Sequence, residues 1–376
     1  MTAQEIALAP SLPRPYLSRV PIVPLYGHSA LRQRLRSAVQ VDKLPASVLL
    51  HGPRGIGKQR LALWLGQLLL CGSDGTRPCG ACRHCRYGEG LVHPDLHWYF
   101  PRPRLKEADA SPETVREDYS DAIAERVAAN GLYAPADGTE AIFVAAVRAL
   151  LQQAVLSPAL ARRKVFVVGD AERMVPQEGA DAAANAFLKL LEEPPADTTL
   201  ILTSSEPGAL LPTVRSRVVA IRVTRLADAE VREFLSHPAV GAFLEESGAP
   251  ATSEERVRLA QGAPGVLLAA TGLRDALDHA RRLVTAAGGG DPAERLRLAF
   301  VQGSSRARGS FAQMLDAVTV VLHESVRDAV TRNDPRAVGA ARGLEAVERA
   351  KTLVTGNVNP QLVTAALMRE LGRLGR

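Results

Sequence analysis

The chain has 376 residues, enough for two or three domains with full cores, and its 46% apolar and 23% charged content is that of a soluble globular protein. This excludes a disordered, collagenous or fibrous protein. Lysine and arginine number 46 against 40 aspartates and glutamates, a net charge of +6 that permits a nucleic-acid partner without arguing for one.

Residues 1–26 read as an irregular arm, because Pro10, Pro13, Pro15, Pro21 and Pro24 block regular structure. No apolar run there has signal-peptide character, and no segment approaches the ~20 apolar residues that span a bilayer. A cytoplasmic protein with no membrane partner is expected. A helix follows Gly27, with Leu31, Leu35 and Val39 on one face. Ser47–His51 reads as a buried strand, Gly52–Gly57 as a glycine loop, and Leu61, Leu65, Leu68 and Leu69 mark the next helix. A cysteine-bearing module occupies about 71–100. The Ala-, Pro-, Asp- and Glu-rich stretch at about 101–140 reads as an insertion, partly helical and partly mobile. A helix is expected near 143–155, a strand over Val165–Asp170, and a helix carrying Ala184, Phe187, Leu188 and Leu191 that stops at Pro194-Pro195. Strands over Thr199–Thr203 and Val218–Val223 complete an α/β pattern with a parallel sheet. After about 226 only helical spacing remains. It gives a smaller helical unit over 227–275 and a larger one over 276–376.

Gly52-Pro53-Arg54-Gly55-Ile56-Gly57-Lys58 fits G-x-x-x-x-G-K between a strand and a helix. Glycines let backbone N–H groups approach phosphate oxygens without a Cβ in the way. The helix N-terminus adds partial positive charge, and Lys58 adds a full one. The competing reading is a glycine turn that binds nothing. The motif departs from the Walker A pattern at Gln59, where Ser or Thr would offer Mg²⁺ a hydroxyl. An amide can present an oxygen, but on a longer arm, and Mg²⁺ demands near-ideal octahedral geometry. ATP with Mg²⁺ is therefore admitted as a ligand, and efficient hydrolysis is not expected.

All four cysteines, Cys71, Cys79, Cys82 and Cys85, lie within fifteen residues in the spacing C-x7-C-x2-C-x2-C. Two-residue spacers bring neighbouring sulfurs to one tetrahedral Zn²⁺ at about 2.3 Å each, and four thiolates leave no open position, so the metal's role is structural. An iron–sulfur cluster and a set of free thiols are the alternatives. His84 and His93 are near enough to substitute as ligands. Asp170 ends an apolar strand, where a P-loop enzyme holds its Mg²⁺ shell, but a strand-end cap of a turn reads equally well. Glu172 comes one residue late to polarise water, since one step along an extended strand turns a side chain to the other face.

Gly52–Lys58, the cysteine cluster, Asp170–Met174, Asn185–Pro195 and Leu210–Arg217 occur in an order that resembles the AAA+ subunits of the bacterial DNA polymerase III clamp loader. The resemblance implies an AAA+ P-loop domain over 27–226, with the 227–275 unit as its helical lid and 276–376 as an all-α collar that joins subunits. Gln59, Ala171 and Gly265 stand where the motor subunit has its threonine, its glutamate and its lid arginine, so the pattern is that of the rigid stator. The segment Val354–Leu362 also resembles the stator's last helical stretch. The resemblance further implies that Arg217, after Ser216, reaches the γ-phosphate bound by a neighbouring subunit. Val218 takes the place of a cysteine there and can fill a small buried apolar site. The alternative for Arg217 is an ion pair at the sheet edge.

The expected role is in DNA replication, completing a ring with gamma/tau-like and delta-like subunits that places the sliding clamp on primed DNA, with no ATPase activity of its own. One alternative is a gamma/tau-like motor in which Gln59 and Glu172 substitute for the usual residues. The other is a zinc-bearing nucleic-acid binder that works alone. The near-neutral charge and the 4% aromatic content count against that binder.

Overall fold

The computed structural model describes residues 22–107, 110–134, 140–174, 181–247, 249–269, 273–289, 292–300, 308–355 and 358–374. Most of the N-terminal arm, and Gly356-Asn357 of the C-terminal motif, lie outside these residues. Two compact units emerge, one formed by Met1–Tyr133 with Ala141–Thr224 and the other by Ala134–Glu140 with Arg225–Arg376. The expected lid and collar both fall in the second unit.

In the first unit α1 (Ser29–Gln40), β1 (Ser47–His51), α2 (Lys58–Leu70), α3 (Arg83–Glu89), β2 (Leu96–Tyr99), α4 (Pro112–Ala128), α5 (Val144–Ala154) and β3 (Lys164–Val168) are followed by a short 3-10 turn at Ala171–Arg173. Then come α6 (Asp181–Glu192), β4 (Thr198–Ser204), α7 (Pro212–Arg215) and β5 (Val219–Arg222). The five strands form one sheet in the order β2-β3-β4-β1-β5, with every pair parallel. Every residue of β3 and β4 is buried, as their nearly unbroken apolar sequences require of strands covered on both faces. β5 is an edge strand, and its Val219 is exposed.

Two elements differ from the sequence expectations, and both shape the end of the sheet. β2 lies inside the segment read as the cysteine module and pairs with β3 from Leu96↔Val165 to Tyr99↔Val168. β3 itself stops at Val168. Gly169 still donates its N–H to Tyr99 O at 2.7 Å, but Asp170 then takes left-handed dihedrals, φ 48 and ψ 55, and the chain turns away from the sheet. Left-handed backbone is disfavoured for most side chains but tolerated by aspartate.

The insertion carries α4, whose start is written locally. The Ser111 side chain accepts from Thr114 N, Pro112 takes the first helical position, and Glu113 lies in the first turn. Its buried face is tied to the end of β2. Tyr119 donates its hydroxyl to Phe100 O at 2.7 Å, and Arg102 makes a two-point ion pair with Asp118 at 2.9 and 3.1 Å.

Buried charges lock the connections around β3. Asp95, before β2, accepts three backbone N–H groups from Ala159, Leu160 and Ala161 at 2.6–2.8 Å. Lys164 donates to Ala154 O at 2.8 Å and to Leu156 O, which satisfies carbonyls left open at the end of α5.

The second unit is helical throughout its described residues: α8 (Asp228–Leu235), α9 (Pro238–Glu246), α10 (Ser253–Ala260), a 3-10 segment at Pro264–Ala269, α11 (Leu273–Gly289), α12 (Pro292–Phe300), α13 (Arg308–Thr331), α14 (Arg336–Thr355) and α15 (Pro360–Leu374). α13 packs on α11 and α14, and α15 on α11, α12 and α14. Among the described residues no helix is long and apolar enough to cross a membrane.

Candidate nucleotide site and cysteine cluster

Parallel order puts the carboxyl ends of β1, β3 and β4 side by side, the place where open α/β sheets collect their ligands. The glycine loop leaves β1 there. Gly52 has no room for a Cβ, which would collide with Val223 O, and Gly55 and Gly57 have positive φ of 78 and 88. Gly57 is the N-cap of α2, so α2 points its N-terminus at the hollow of the loop.

Lys58 opens α2 and is only 5% exposed. Its Nζ donates to Pro53 O at 2.8 Å and to Ser205 Oγ at 2.9 Å. Burial pushes its pKa down to about 8, against the opposing pull of Asp170 and Glu172.

Glu172 does not face away, as an extended strand would make it. The left-handed turn at Asp170 and the 3-10 turn after it bring the carboxyl back towards Lys58. There Glu172 Oε1 accepts from Ser205 N at 2.8 Å. Glu172 Oε2 is buried and has no hydrogen-bond partner among the described residues. Burial first, and the charge of Asp170 second, raise its pKa.

The Gln59 carboxamide bridges two groups. Its Nε2 donates to Asp170 Oδ2 at 3.0 Å, and its Oε1 accepts from Trp98 Nε1 at 3.1 Å. The two amide ends are assigned by chemistry, because an indole N–H only donates and a carboxylate only accepts. Gly169 leaves the space for this amide, which a Cβ would fill. Asp170 is fixed in turn by its own N–H, which donates to Thr203 Oγ1 at 3.0 Å.

Mg²⁺ does not fit this arrangement. It requires oxygen ligands at about 2.1 Å in an octahedron, whereas Asp170 already accepts from an amide N–H and the amide oxygen is taken by Trp98.

Arg217 follows α7. Its Nε donates to Glu192 Oε2 at 2.9 Å, and its Nη1 to Thr213 O at 3.1 Å and Ser216 Oγ at 3.4 Å. The side chains of Arg217 and Glu192 are 30% and 57% exposed. A pair this exposed contributes about 0–1 kcal/mol. Val218 is half-buried, not buried.

The four cysteine sulfurs come together, all within 4.8 Å of one another. Cys71 Sγ lies 3.9 Å from Cys82 Sγ, and Cys79 Sγ 3.9 Å from Cys85 Sγ. A tetrahedron with 2.3 Å metal–sulfur bonds has edges of about 3.8 Å, so a metal ion of that size fits. Backbone N–H groups of Cys82 and Cys85 point at the sulfurs of Cys79 and Cys82, at 3.4 and 3.5 Å. The N–H groups of Cys82 and Ala81 lower the Cys79 thiol to about 6.

The two nearby histidines bond to each other instead. His93 Nδ1 accepts from Asp95 N at 3.0 Å, which leaves the Nε2 proton to be donated to His84 Nδ1 at 2.9 Å. Both nitrogens of His93 are thus in use.

Sequence reasoning misses Trp98, Thr203 and Ser205. Thr203-Ser204-Ser205 carries a usable signal, a polar run directly after an apolar strand. Trp98 carries none, because β2 has no strand pattern of its own.

The fold and this site define a parallel α/β domain with a glycine loop of the P-loop pattern, beside which the Gln59 amide bonds Asp170. The sequence profile of a family described as DNA polymerase III, delta subunit, matches residues 27–227, and the chain belongs to that family. Subunit delta′ of DNA polymerase III from Pseudomonas aeruginosa is 35% identical over 172 residues, 46% of this chain and 40% of that protein. The delta′ subunit of Bacillus subtilis is 28% identical over 183 residues, 49% and 43%. Subunit tau from Salmonella typhimurium is 27% identical over 212 residues, 56% and 26%. The chain spans about two fifths of the length of the delta′ relatives it matches.

The pKa of Lys58 has a measurable consequence. Its unfolded value lies near 10.5 and its folded value near 8, so the folded state carries the penalty of a buried charge below pH 8 and sheds it as pH rises towards 10.5. Denaturant unfolding of the natural chain and of Lys58→Met should therefore shift in favour of the natural chain between pH 8 and 10.5. A gap that stays constant across that window would contradict the lowered pKa.

Proposed function

We propose that this chain is a delta-prime-type stator of a DNA polymerase III clamp loader, with an AAA+ domain over 27–226, a lid over 227–275 and a collar over 276–376. Its partners are AAA+ subunits of gamma/tau and delta type, and through them the sliding clamp and primed DNA. The observation that carries the reading is the pairing of an amide-to-carboxylate bond at Gln59 and Asp170 with a half-buried Arg217 whose ion-pair partner, Glu192, is exposed. The first makes the chain's own loop a poor site for ATP hydrolysis. The second offers a guanidinium to an outside phosphate.

A finger of this kind works because charge develops on the transferring phosphoryl group, and a guanidinium meets two oxygens at once. Docking against a neighbour would exchange the Glu192 carboxylate for that phosphate. Leu296, Phe300 and Leu362 are exposed on α12 and α15, which supports an oligomerising role for the collar. The cysteine cluster is read as a structural zinc site, closed by four sulfurs.

Two observations favour the motor reading. Glu172 lies close enough to Lys58 to influence its charge, and subunit tau is among the relatives. Against it, the carboxyl is engaged by Ser205 N.

In a loader reconstituted with its cognate motor subunits, Arg217→Ala should slow hydrolysis at the neighbouring subunit's ATP site by about 10³-fold or more, the scale of other arginine fingers, and so lower the assembly's ATPase rate while the complex still forms. An unchanged rate in an intact complex sinks the finger assignment. Metal analysis of the purified chain should find about one zinc per chain, and Cys82→Ser should lose it. Iron in its place, or no metal, would contradict the zinc reading.

A further inference from the structure

The position that P-loop enzymes give to a divalent ion holds, in this chain, a hydrogen-bond donor aimed at the same carboxylate. Gln59 Nε2 meets Asp170 Oδ2 as a cation would, with partial positive charge and one directed contact. The other end of the amide is anchored by Trp98 Nε1, so the side chain cannot turn its oxygen outward without leaving two polar groups unpaired.

Trp98 is itself held. It is 4% exposed, and the Arg126 guanidinium of α4 stacks over it at 4.6 Å from the ring centroid, reaching Phe100 at 3.4 Å and Tyr133 at 3.9 Å as well. Thus α4 and the insertion around it form the back wall that fixes the amide. Gly169 completes the fit by leaving the amide its space.

We infer that Gln59 is a built-in substitute for the divalent ion, so that the loop takes the phosphates of a nucleoside diphosphate without metal. The phosphate charge is then met by the loop N–H groups, the α2 N-terminus and Lys58. An amide satisfies Asp170 but cannot bridge two phosphate oxygens, which is what the metal does in hydrolysis. The inference rests on the phosphate-loop reading and not on the stator role, which needs no nucleotide in this site.

The test uses the full chain, with ADP binding followed by equilibrium dialysis in Mg²⁺ or in EDTA and Mn²⁺ followed by electron paramagnetic resonance. The natural chain should bind ADP with the same affinity in both buffers and hold no Mn²⁺ at the loop. Gln59→Thr should gain one Mn²⁺ in the presence of ADP, and its ADP affinity should rise at least tenfold with metal. If that variant fails to fold, Gln59→Ser serves the same purpose.

Three results overturn the inference. They are a tenfold loss of ADP by the natural chain in EDTA, no ADP binding by it in either buffer, and a Gln59→Thr variant that stays indifferent to metal. The second leaves the Arg217 assignment standing, and an inactive Arg217→Ala assembly leaves this inference standing, so the two fail separately.

Discussion

Everything at the candidate site depends on where β1 sits in the sheet. Flanked by β4 and β5, with β3 beyond β4, it delivers the glycine loop beside the turn at Asp170 and the polar end of β4. Parallel pairing aligns the three carboxyl ends without any further device. Backbone bonds extend the alignment past the strands, with Gly52 N donating to Ser204 O at 3.2 Å and Val223 N to His51 O at 2.7 Å. The start of the loop is therefore tied to the carboxyl end of the sheet.

The charges gathered at that edge are buried, and burial decides their behaviour. Lys58 is lowered and Glu172 raised, each by desolvation before any neighbour acts. Neither state is comfortable for the folded chain alone. Lys58 keeps a buried ammonium on two neutral acceptors, and Glu172 keeps one carboxyl oxygen with no hydrogen-bond partner among the described residues. The same edge treats Gln59 differently, because its bonds to Asp170 and Trp98 are both satisfied. A fully satisfied polar pair in the core resists rearrangement, whereas a half-satisfied one invites a ligand.

Much of this is legible in the sequence where burial on both faces leaves no alternation to misread. Ser47–His51, the valines of β3 and the apolar run of β4 each stand as continuous hydrophobic segments next to glycine or polar turns. The four cysteines are equally plain, since two-residue spacers can bring Cys79, Cys82 and Cys85 to one centre and the glycine-bearing spacer before them lets Cys71 join it. What the sequence hides depends on contacts between residues far apart in the chain. Leu-His-Trp-Tyr at 96–99 carries no strand period of its own and becomes β2 only by pairing with β3. An extended chain through Asp170 puts Glu172 on the wrong side, and the left-handed residue there reverses it. The identity of Gln59 can be read, but which end of its amide faces Asp170 cannot, because the answer lies with Trp98.

In the proposed stator role two arginines divide the work. Both are half-buried: Arg126 braces the loop's back wall through aromatic stacking, while Arg217 pairs with the exposed Glu192, a bond that solvent weakens. A silent loop and an available arginine together are what a subunit needs to complete another's site. The most direct test is phosphate release from ATP by the purified chain with Mg²⁺ present. No release above that of Lys58→Ala is expected, and turnover by the natural chain that Lys58→Ala abolishes would refute the stator reading.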